Sequence, residues 1–405
     1  MSLPRVILRK NLARAVRAGH PWIYRDAVTA PPGLKDGDVV LVATSDGRVL
    51  ARGFWTATTP IAVRVVATDA RDDLATSIRA RLEAALATRL AALDTNDTNA
   101  FRWVHGEADR LPGMHLDVYG RFATVRFDGP GARAFYRDVA PVLLAVGAPL
   151  GIQTVIERRR GTRATGGAAE ADDEVTAGGA SRVLVGPEPP AELEVSENGL
   201  RFGVDLARGQ KGGLFLDQRE NRARIRARAR GLRVLNLFGY TGGFSIYATA
   251  GGATATTTVD VAAGAIAAAR ANFTRNALPL DSAELVTGDA FDFLDDARKK
   301  ARTWDLVISD PPSFAPSRRA VDAALHAYRR LHGLAASVTA AGGLLVAASC
   351  SSHVDETAFL ETIDAGCAEA RRRFERLEMH GAGVDHPVVD TFPEGRYLKL
   401  AIGRV

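Results

Sequence analysis

The sequence predicts an α/β protein with a Rossmann-like, mostly parallel doubly wound sheet in its C-terminal half. An N-terminal β-barrel-like module and a central α+β segment precede it. Three observations carry this reading. Short apolar runs alternate with helix-compatible segments from Val234 onward, as βα units around a parallel sheet do. Notable polar residues recur just after those apolar runs, where ligands of open α/β sheets bind. The first 70 or so residues instead hold short strands separated by Lys35-Asp36-Gly37 and Ser45-Asp46-Gly47 turns.

The chain has 405 residues, enough for two or three domains, and a net charge of +5 with a pI near 9.4. Most of its positive charge is arginine, which suits phosphate forks and base stacking. Cys350 and Cys367 are the only cysteines, so no disulfide framework is expected and a reducing cytoplasm fits. No apolar run reaches membrane-spanning length and the N-terminus lacks a signal-peptide pattern, so no membrane partner is expected.

The N-terminal module, residues 1–70, is expected to place strands at Val39–Ala43, Val49–Phe54 and Ile61–Val66. Arg14, Arg17, Trp22 and Tyr24 form an arginine and aromatic cluster suited to phosphates and stacked bases. The alternative is that the two aromatics simply pack the barrel, as aromatics mostly do. The module is expected to stand apart from the Rossmann sheet. Residues 71–190 read as the central domain, with a helix at Arg71–Leu93, strands near Arg102–Gly106, Met114–Tyr119 and Phe122–Phe127, a helix over Ala132–Val146 and a strand at Ile152–Ile156. The Glu107–Gly113 stretch is either a surface turn or a substrate-facing loop. Arg158–Ala180 is polar and glycine-rich, a linker by composition.

Residues 191–405 form the third domain. A hairpin turns at Asn198-Gly199. A polar stretch, Gly209–Arg222, then leads into an arginine-rich helix at Glu220–Arg230. Next comes the organising unit: a strand through Asn236 and Phe238, a turn with Gly239, Tyr240, Gly242 and Gly243, and a helix from Phe244. Glycines allow close backbone approach, and a helix start offers N–H groups. No lysine follows as in a triphosphate loop. Asp260 ends the next strand and suits ribose hydroxyls; Asp289 with the Ala290 N–H suits an adenine edge, or Asp289 caps a helix. Together these point to an adenosine bearing an amino-acid tail, S-adenosyl-L-methionine. Asp310-Pro311-Pro312-Ser313-Phe314 follows a further strand. It aims a carboxylate at a planar acceptor, with Phe314 able to stack. Cys350, between two serines at a strand end, is placed for nucleophilic work on a carbon such as cytosine C5, which needs a thiolate at C6. Cys367, inside a helix, reads as core.

With these residues in place, the chain resembles the bacterial 23S rRNA cytosine-C5 methyltransferases that carry an N-terminal PUA domain. The resemblance runs nearly end to end through Gly19–Tyr24, Gly106–Gly113, Gly209–Gly212, Phe215–Arg222, Asn236–Phe244, Asp310–Phe314, Ser349–Ser351, Asp385–Val388 and Pro393–Lys399. It implies an RNA substrate (23S rRNA or a pre-50S particle), a Phe215, Asp217, Gln218 and Arg219 segment closing over the cofactor, and Cys350 as nucleophile. A homodimer is compatible with it. Three positions depart from the family: Gly212 replaces a usual Thr, Ala262 a common Ser, and the Thr165–Ala180 insertion is long. A related guanine-N7 rRNA methyltransferase shares the Asp310 turn and lacks the cysteine. Guanine-N7 or exocyclic-amine methylation, and a non-catalytic RNA-binding assembly factor, are the alternatives.

Overall fold

The computed structural model describes residues 3–69, 73–159, 181–206 and 213–405. Gly209–Gly212 and 160–180, most of the expected linker, lie outside the described residues.

The N-terminal module is a six-stranded, strongly bent sheet. Its strands are β1 (Arg5–Leu8), β2 (Trp22–Tyr24), β3 (Val28–Thr29), β4 (Val39–Ala43), β5 (Val49–Trp55) and β6 (Ile61–Ala67), with the short helix α1 (Ala13–Arg17) between β1 and β2. The spatial order is β2-β6-β5-β4-β1-β3. Val6, Ile23, Val40, Val42 and Val63 fill its interior. Turn chemistry marks β4 to β6 in the sequence; β1 to β3 are too short to show a period.

In the central segment, helix α2 (Leu74–Ala92) starts on an Asp73 cap whose carboxylate accepts from the Thr76 N–H. It covers a sheet of β7 (Ala100–His105), β8 (Met114–Tyr119), β9 (Phe122–Phe127), β10 (Thr154–Arg158) and β11 (Ser181–Val185). The single helix expected over Ala132–Val146 is two, α3 (Gly129–Phe135) and α4 (Ala140–Gly147). Pro141 explains the break, since it is tolerated in a first turn and not in a helix interior. Strand β10 starts two residues later than expected. Strand β11 pairs with it antiparallel directly after the polar stretch.

A hairpin of β12 (Leu193–Glu197) and β13 (Leu200–Val204) turns through Asn198 and Gly199, both at positive φ, as a type I′ turn requires. Beyond it, α5 (Arg219–Arg228), β14 (Arg233–Leu237), α6 (Gly243–Ala250), β15 (Ala255–Asp260), α7 (Ala263–Arg275), β16 (Ala283–Thr287), α8 (Ala290–Lys299), β17 (Trp304–Ser309), α9 (Val321–Val338), β18 (Thr339–Ser349), α10 (Glu356–Glu369), β19 (Glu375–His380) and β20 (Lys399–Arg404) follow. The sheet order is β16-β15-β14-β17-β18-β20-β19. Strands β14 to β18 are parallel, while β20 runs antiparallel to both neighbours. Alternate residues serve opposite faces. Leu235, Leu237 and Val307 pack under α8, α9 and α10; Val234, Leu306 and Ile308 pack with Ile225 of α5 and Phe244 of α6. Burial on both faces explains the near-continuous apolar runs. The order reverses between β14 and β17, so the crevice opens there, beyond their carboxyl ends.

Candidate active site

The turn after β14 is conformationally costly. Phe238 and Tyr240 have φ of 55° and 47°, and Gly242 has 82°. Positive φ in bulky residues persists only where surroundings hold it. Asp260 does part of that holding. Its Oδ2 accepts from the Tyr240 N–H at 2.8 Å and its Oδ1 from the Ala262 N–H at 2.9 Å. The carboxylate expected to meet ribose therefore also fixes the loop. Asn236 lies buried beneath, its Nδ2 donating to Ser245 Oγ at 3.0 Å, while its Oδ1 has no hydrogen-bond partner among the described residues. A lone buried acceptor under such a loop suits a cationic amino group.

Asp289 caps α8: its Oδ1 accepts from Phe291 N at 2.8 Å and Asp292 N at 3.1 Å. The Ala290 methyl belongs to the core, so only its main chain can face a ligand. The stretch from Gly213 lies over the loop. Thr241 Oγ1 donates to Gly213 O at 3.0 Å, and the Phe215 ring meets Tyr240 edge-on at 5.4 Å.

Gln218 Nε2 donates to Asp310 Oδ2 at 2.9 Å, which ties this segment to the Asp310 turn. Asp217 is buried and accepts from Tyr397 Oη at 2.7 Å. Arg219 departs from expectation. Its guanidinium is buried and grips Asp385 with both Nη1 and Nη2 at 2.9 Å, so the side chain braces the segment from behind. A buried guanidinium takes the partner that matches its fork.

The Asp310 turn and the Cys350 turn lie side by side. Cys350 Sγ is 4.0 Å from Pro311 O and is half-buried. Hydroxyls join the turns. Ser313 Oγ lies 3.0 Å from Ser351 Oγ, and Tyr328 Oη lies 2.9 Å from Ser349 Oγ and 3.0 Å from Ser351 Oγ. Below them Lys399 Nζ, buried, donates to Ser351 O at 2.9 Å and Val354 O at 2.7 Å. Pro311 is buried and Pro312 exposed. Phe314, expected to be available for stacking, packs against Tyr328 at 4.8 Å. That contact occupies part of its surface. Cys367 is fully buried, and burial pushes its thiol up to about 12.

The N-terminal cluster is not brought to this cleft as a unit. Arg14 and Arg17 are exposed and Tyr24 is 39% exposed. Trp22 is drawn into a seam. Its Nε1 donates to Glu107 at 2.7 Å, and its ring meets Phe392 edge-on at 4.6 Å. The module therefore docks on the C-terminal domain through Phe392 and does not stand apart. The Glu107–Gly113 stretch is part of the same seam, because Asp109 forms a buried pair with Arg89 at 2.6 Å. Glu107, His115 and Asp128 place ligand atoms within 4.8 Å of one another. Arg64 lies 3.5 Å from Glu107 and Arg126 3.4 Å from Asp128, so arginines already balance this cluster.

A family model described as an S-adenosylmethionine-dependent methyltransferase matches residues 175–393, and one described as a PUA-like domain matches residues 6–68. The chain belongs to the S-adenosylmethionine-dependent methyltransferases. Its cofactor is S-adenosylmethionine, and the loop after β14, Asp260 and the lone Asn236 acceptor fit such a ligand. Two curated relatives of this methyltransferase are each named ribosomal RNA large subunit methyltransferase I. That of Photobacterium profundum is 32% identical over 402 residues and that of Alteromonas mediterranea 33% over 397, with 97% of both chains covered in each case. A SAM-dependent methyltransferase from Streptococcus mutans superposes with a TM-score of 0.81 at 23% identity. A methyltransferase complexed with SAH does so at 0.82 and 25%; both cover 100% of each chain.

Tyr328, Asn221, Lys399 and Asp385 escaped the sequence reading as functional positions. Asn221, Asp385 and Lys399 lay in stretches that carried the resemblance, with no role given to them. Tyr328 sits in a long amphipathic helix, where an aromatic is ordinary core. Only the two serines flanking Cys350 signalled that hydroxyl partners were needed.

Proposed function

We propose that this methyltransferase forms 5-methylcytidine in the 23S rRNA of the large ribosomal subunit, with Cys350 as nucleophile and Asp310 holding the base. The observation that carries it is the adjacency of the Cys350 and Asp310 turns at neighbouring strand ends, Sγ lying 4.0 Å from Pro311 O. The relatives' names supply the RNA class. Residues 1–70 present RNA through Arg14, Arg17 and Tyr24, residues 71–190 join that module to the cleft, and residues 191–405 carry the chemistry. Phe215, Asn236, Phe238, Tyr240, Gly242, Asp260, Asp289 and the Ala290 N–H hold the cofactor. The exposed face of Pro312 meets the base. The setting is cytoplasmic; among the described residues no helix is long and apolar enough to cross a membrane.

S-adenosylmethionine supplies, when bound, a methyl group activated on a sulfonium. The protein's task is to make C5 nucleophilic. The Cys350 thiolate forms a bond to C6 as the C5–C6 π pair shifts through C4 to N3, and N3 takes a proton from Asp310. After methyl transfer a base removes the C5 proton. That pair restores the C5–C6 double bond as sulfur leaves as thiolate, and N3 returns its proton to Asp310. The Lys399 ammonium, buried beneath the turn, favours the anionic sulfur. The target base must be unstacked to be reached.

The test is nucleoside mass spectrometry of rRNA treated with the protein, using naked RNA and precursor particles in parallel. The expected product is 5-methylcytidine. Cys350→Ala is expected to keep S-adenosylmethionine binding, lose C5 methylation and lose the covalent adduct with RNA carrying 5-fluorocytidine. Cys367→Ala is expected to behave as wild type. A 7-methylguanosine product, a methylated exocyclic amine, or full activity in Cys350→Ala overturns the reading.

A further inference from the structure

On the cytosine-C5 reading above, Asp310 has to tell one pyrimidine from another, and its orientation is set from a main-chain carbonyl. Gly381 O can only accept. Asn221 Nδ2 donates to it at 3.1 Å and to Gln218 Oε1 at 2.7 Å. Turning the Asn221 amide over would set its oxygen against the Gly381 carbonyl, two acceptors face to face, so the amide has one tolerable orientation. That orientation dictates the next. Gln218 offers oxygen to Asn221 and therefore its NH2 to Asp310 Oδ2, at 2.9 Å. Gln218 and Asn221 are both almost wholly buried, which shields the chain from competing water.

The consequence reaches the substrate. Asp310 Oδ2 always meets a donor, so a proton on this carboxyl sits on Oδ1. A carboxyl protonated on Oδ1 donates to a ring nitrogen that accepts, and its other oxygen can still accept from an amine. Cytosine shows that pattern with N3 and its exocyclic amine. Uracil shows the reverse, an N3–H and a carbonyl. We infer that Gln218, oriented by Asn221 and Gly381 O, is a positioning residue that sets Asp310 to read the cytosine edge and to deliver its proton to N3 as sulfur adds to C6. No part of this requires Gln218 to touch either ligand.

Gln218→Glu is the decisive variant. The new carboxylate takes the Asn221 donor on one oxygen, and its other oxygen must share a proton with Asp310 Oδ2. The proton is drawn from Oδ1 to that inner contact. Oδ1 then accepts, which suits the N3–H of uracil. Asn221→Leu offers a second route, because the released Gln218 amide can turn its oxygen toward Asp310. The experiment measures covalent adduct formation on denaturing gels, with RNA carrying either 5-fluorocytidine or 5-fluorouridine at the target, alongside calorimetric S-adenosylmethionine affinity.

Wild type is expected to favour the cytidine RNA. Gln218→Glu should lower that preference by ~10-fold or more and Asn221→Leu by less, with cofactor affinity within about twofold of wild type, since a misread polar edge is a discrimination effect. A general structural role would slow both adducts alike and leave the ratio unmoved. An unchanged ratio in both variants overturns the inference, as does an adduct loss accounted for by weakened cofactor binding. Wild type that traps neither base overturns the cytosine-C5 reading itself, and that failure is visible before any variant is made.

Discussion

Two regions flank the cleft and are held by opposite means. The turns bearing Asp310 and Cys350 are stitched by neutral hydroxyls: Ser313, Ser351, Tyr328 and Ser349. The seam behind the cleft is stitched by charge. Asp385, fully buried, accepts from Arg219 Nη1 and Nη2, from the Arg102 N–H at 2.8 Å and from His386 Nδ1 at 2.9 Å. Arg89 reaches its carbonyl at 2.9 Å. The difference follows from what each region must do. On the covalent reading, ion pairs around Cys350 and Asp310 would add charges of both signs to the Lys399 ammonium already beneath the Cys350 turn, whereas hydroxyls orient without adding charge. The seam joins central strand β7, helix α2 and the start of α5, and there strong, directional pairs specify one docking geometry.

Breaking the seam is expected to have the larger effect. Asp385→Ala leaves Arg219 buried without its main counter-charge, and loss of one partner of a buried pair costs roughly 3–5 kcal/mol. Urea denaturation should show that loss as a lower midpoint. Asp385→Asn, which keeps the shape and one acceptor, should lose less. Equal stability in Asp385→Ala and wild type would mean that the seam is not a stabilising device.

The strands β4 to β6, β8, β9 and β12 to β18 were legible because turn residues and apolar runs mark them locally. The strand-end positions Asp310 and Cys350 were legible for the same reason, each following an apolar run, and Asp260 was legible as the end of the β-branched Thr256-Thr257-Thr258-Val259 run. The seam was not legible. Asp385, Arg219, Arg89 and Arg102 are separated by up to 296 residues, and a charged residue in a soluble protein reads as solvated until its partner is seen. Trp22, divided between an RNA surface and barrel packing, had partners hidden for a related reason. Arginines and aromatics near the N-terminus match an RNA surface by composition, yet the tryptophan was claimed by Glu107 and Phe392. The α3–α4 break was written in Pro141 and outweighed the helix period.

Acid distinguishes the regions next. Burial holds His332, behind Tyr328, down to about 4, and holds His105, in the seam beside His386 and Arg102, well below its ordinary value. Both are neutral when folded and ready to protonate when unfolded, so the unfolded state binds more protons below pH 6.5 and stability falls with pH. Asp385 contributes later. Burial opposes its charge, but His386 and Arg219 prevail and keep its carboxyl depressed, so its share is lost only below the ordinary carboxylate range. From pH 6.5 to 5 the His332 share is about 1.6 kcal/mol, because an unfolded histidine is already half protonated at pH 6.5 and 1.36 kcal/mol corresponds to one unit. Denaturant titrations at both pH values should show at least that loss. His332→Phe, which keeps the stack on Tyr328 and Phe359, should remove its part and leave the seam's slope.

Tyr328→Phe probes the hydroxyl region with the smallest change. It deletes one oxygen and its hydrogen bonds to Ser349 and Ser351, while Ser351 keeps Ser313 and Ser349 keeps the Ser351 N–H at 3.3 Å. Because those partners remain, the stability cost should be about 1–2 kcal/mol, below that of Asp385→Ala. The functional cost should exceed what so small a loss suggests, since the hydroxyl fixes both residues that flank Cys350. A displaced nucleophile reacts more slowly even when it is intact. Adduct formation with 5-fluorocytidine RNA should therefore slow by roughly tenfold, as a misplaced nucleophile does, with S-adenosylmethionine affinity unchanged, since Tyr328 lies on the far side of the sheet from α6. Ionisation of the phenol is not a competing explanation. Burial raises it to about 12 although Ser349 and Ser351 act in the other direction, so it is neutral wherever the enzyme is assayed. An adduct rate equal to wild type would show that the turns hold Cys350 through Pro311 and the main chain alone, with the hydroxyls serving packing.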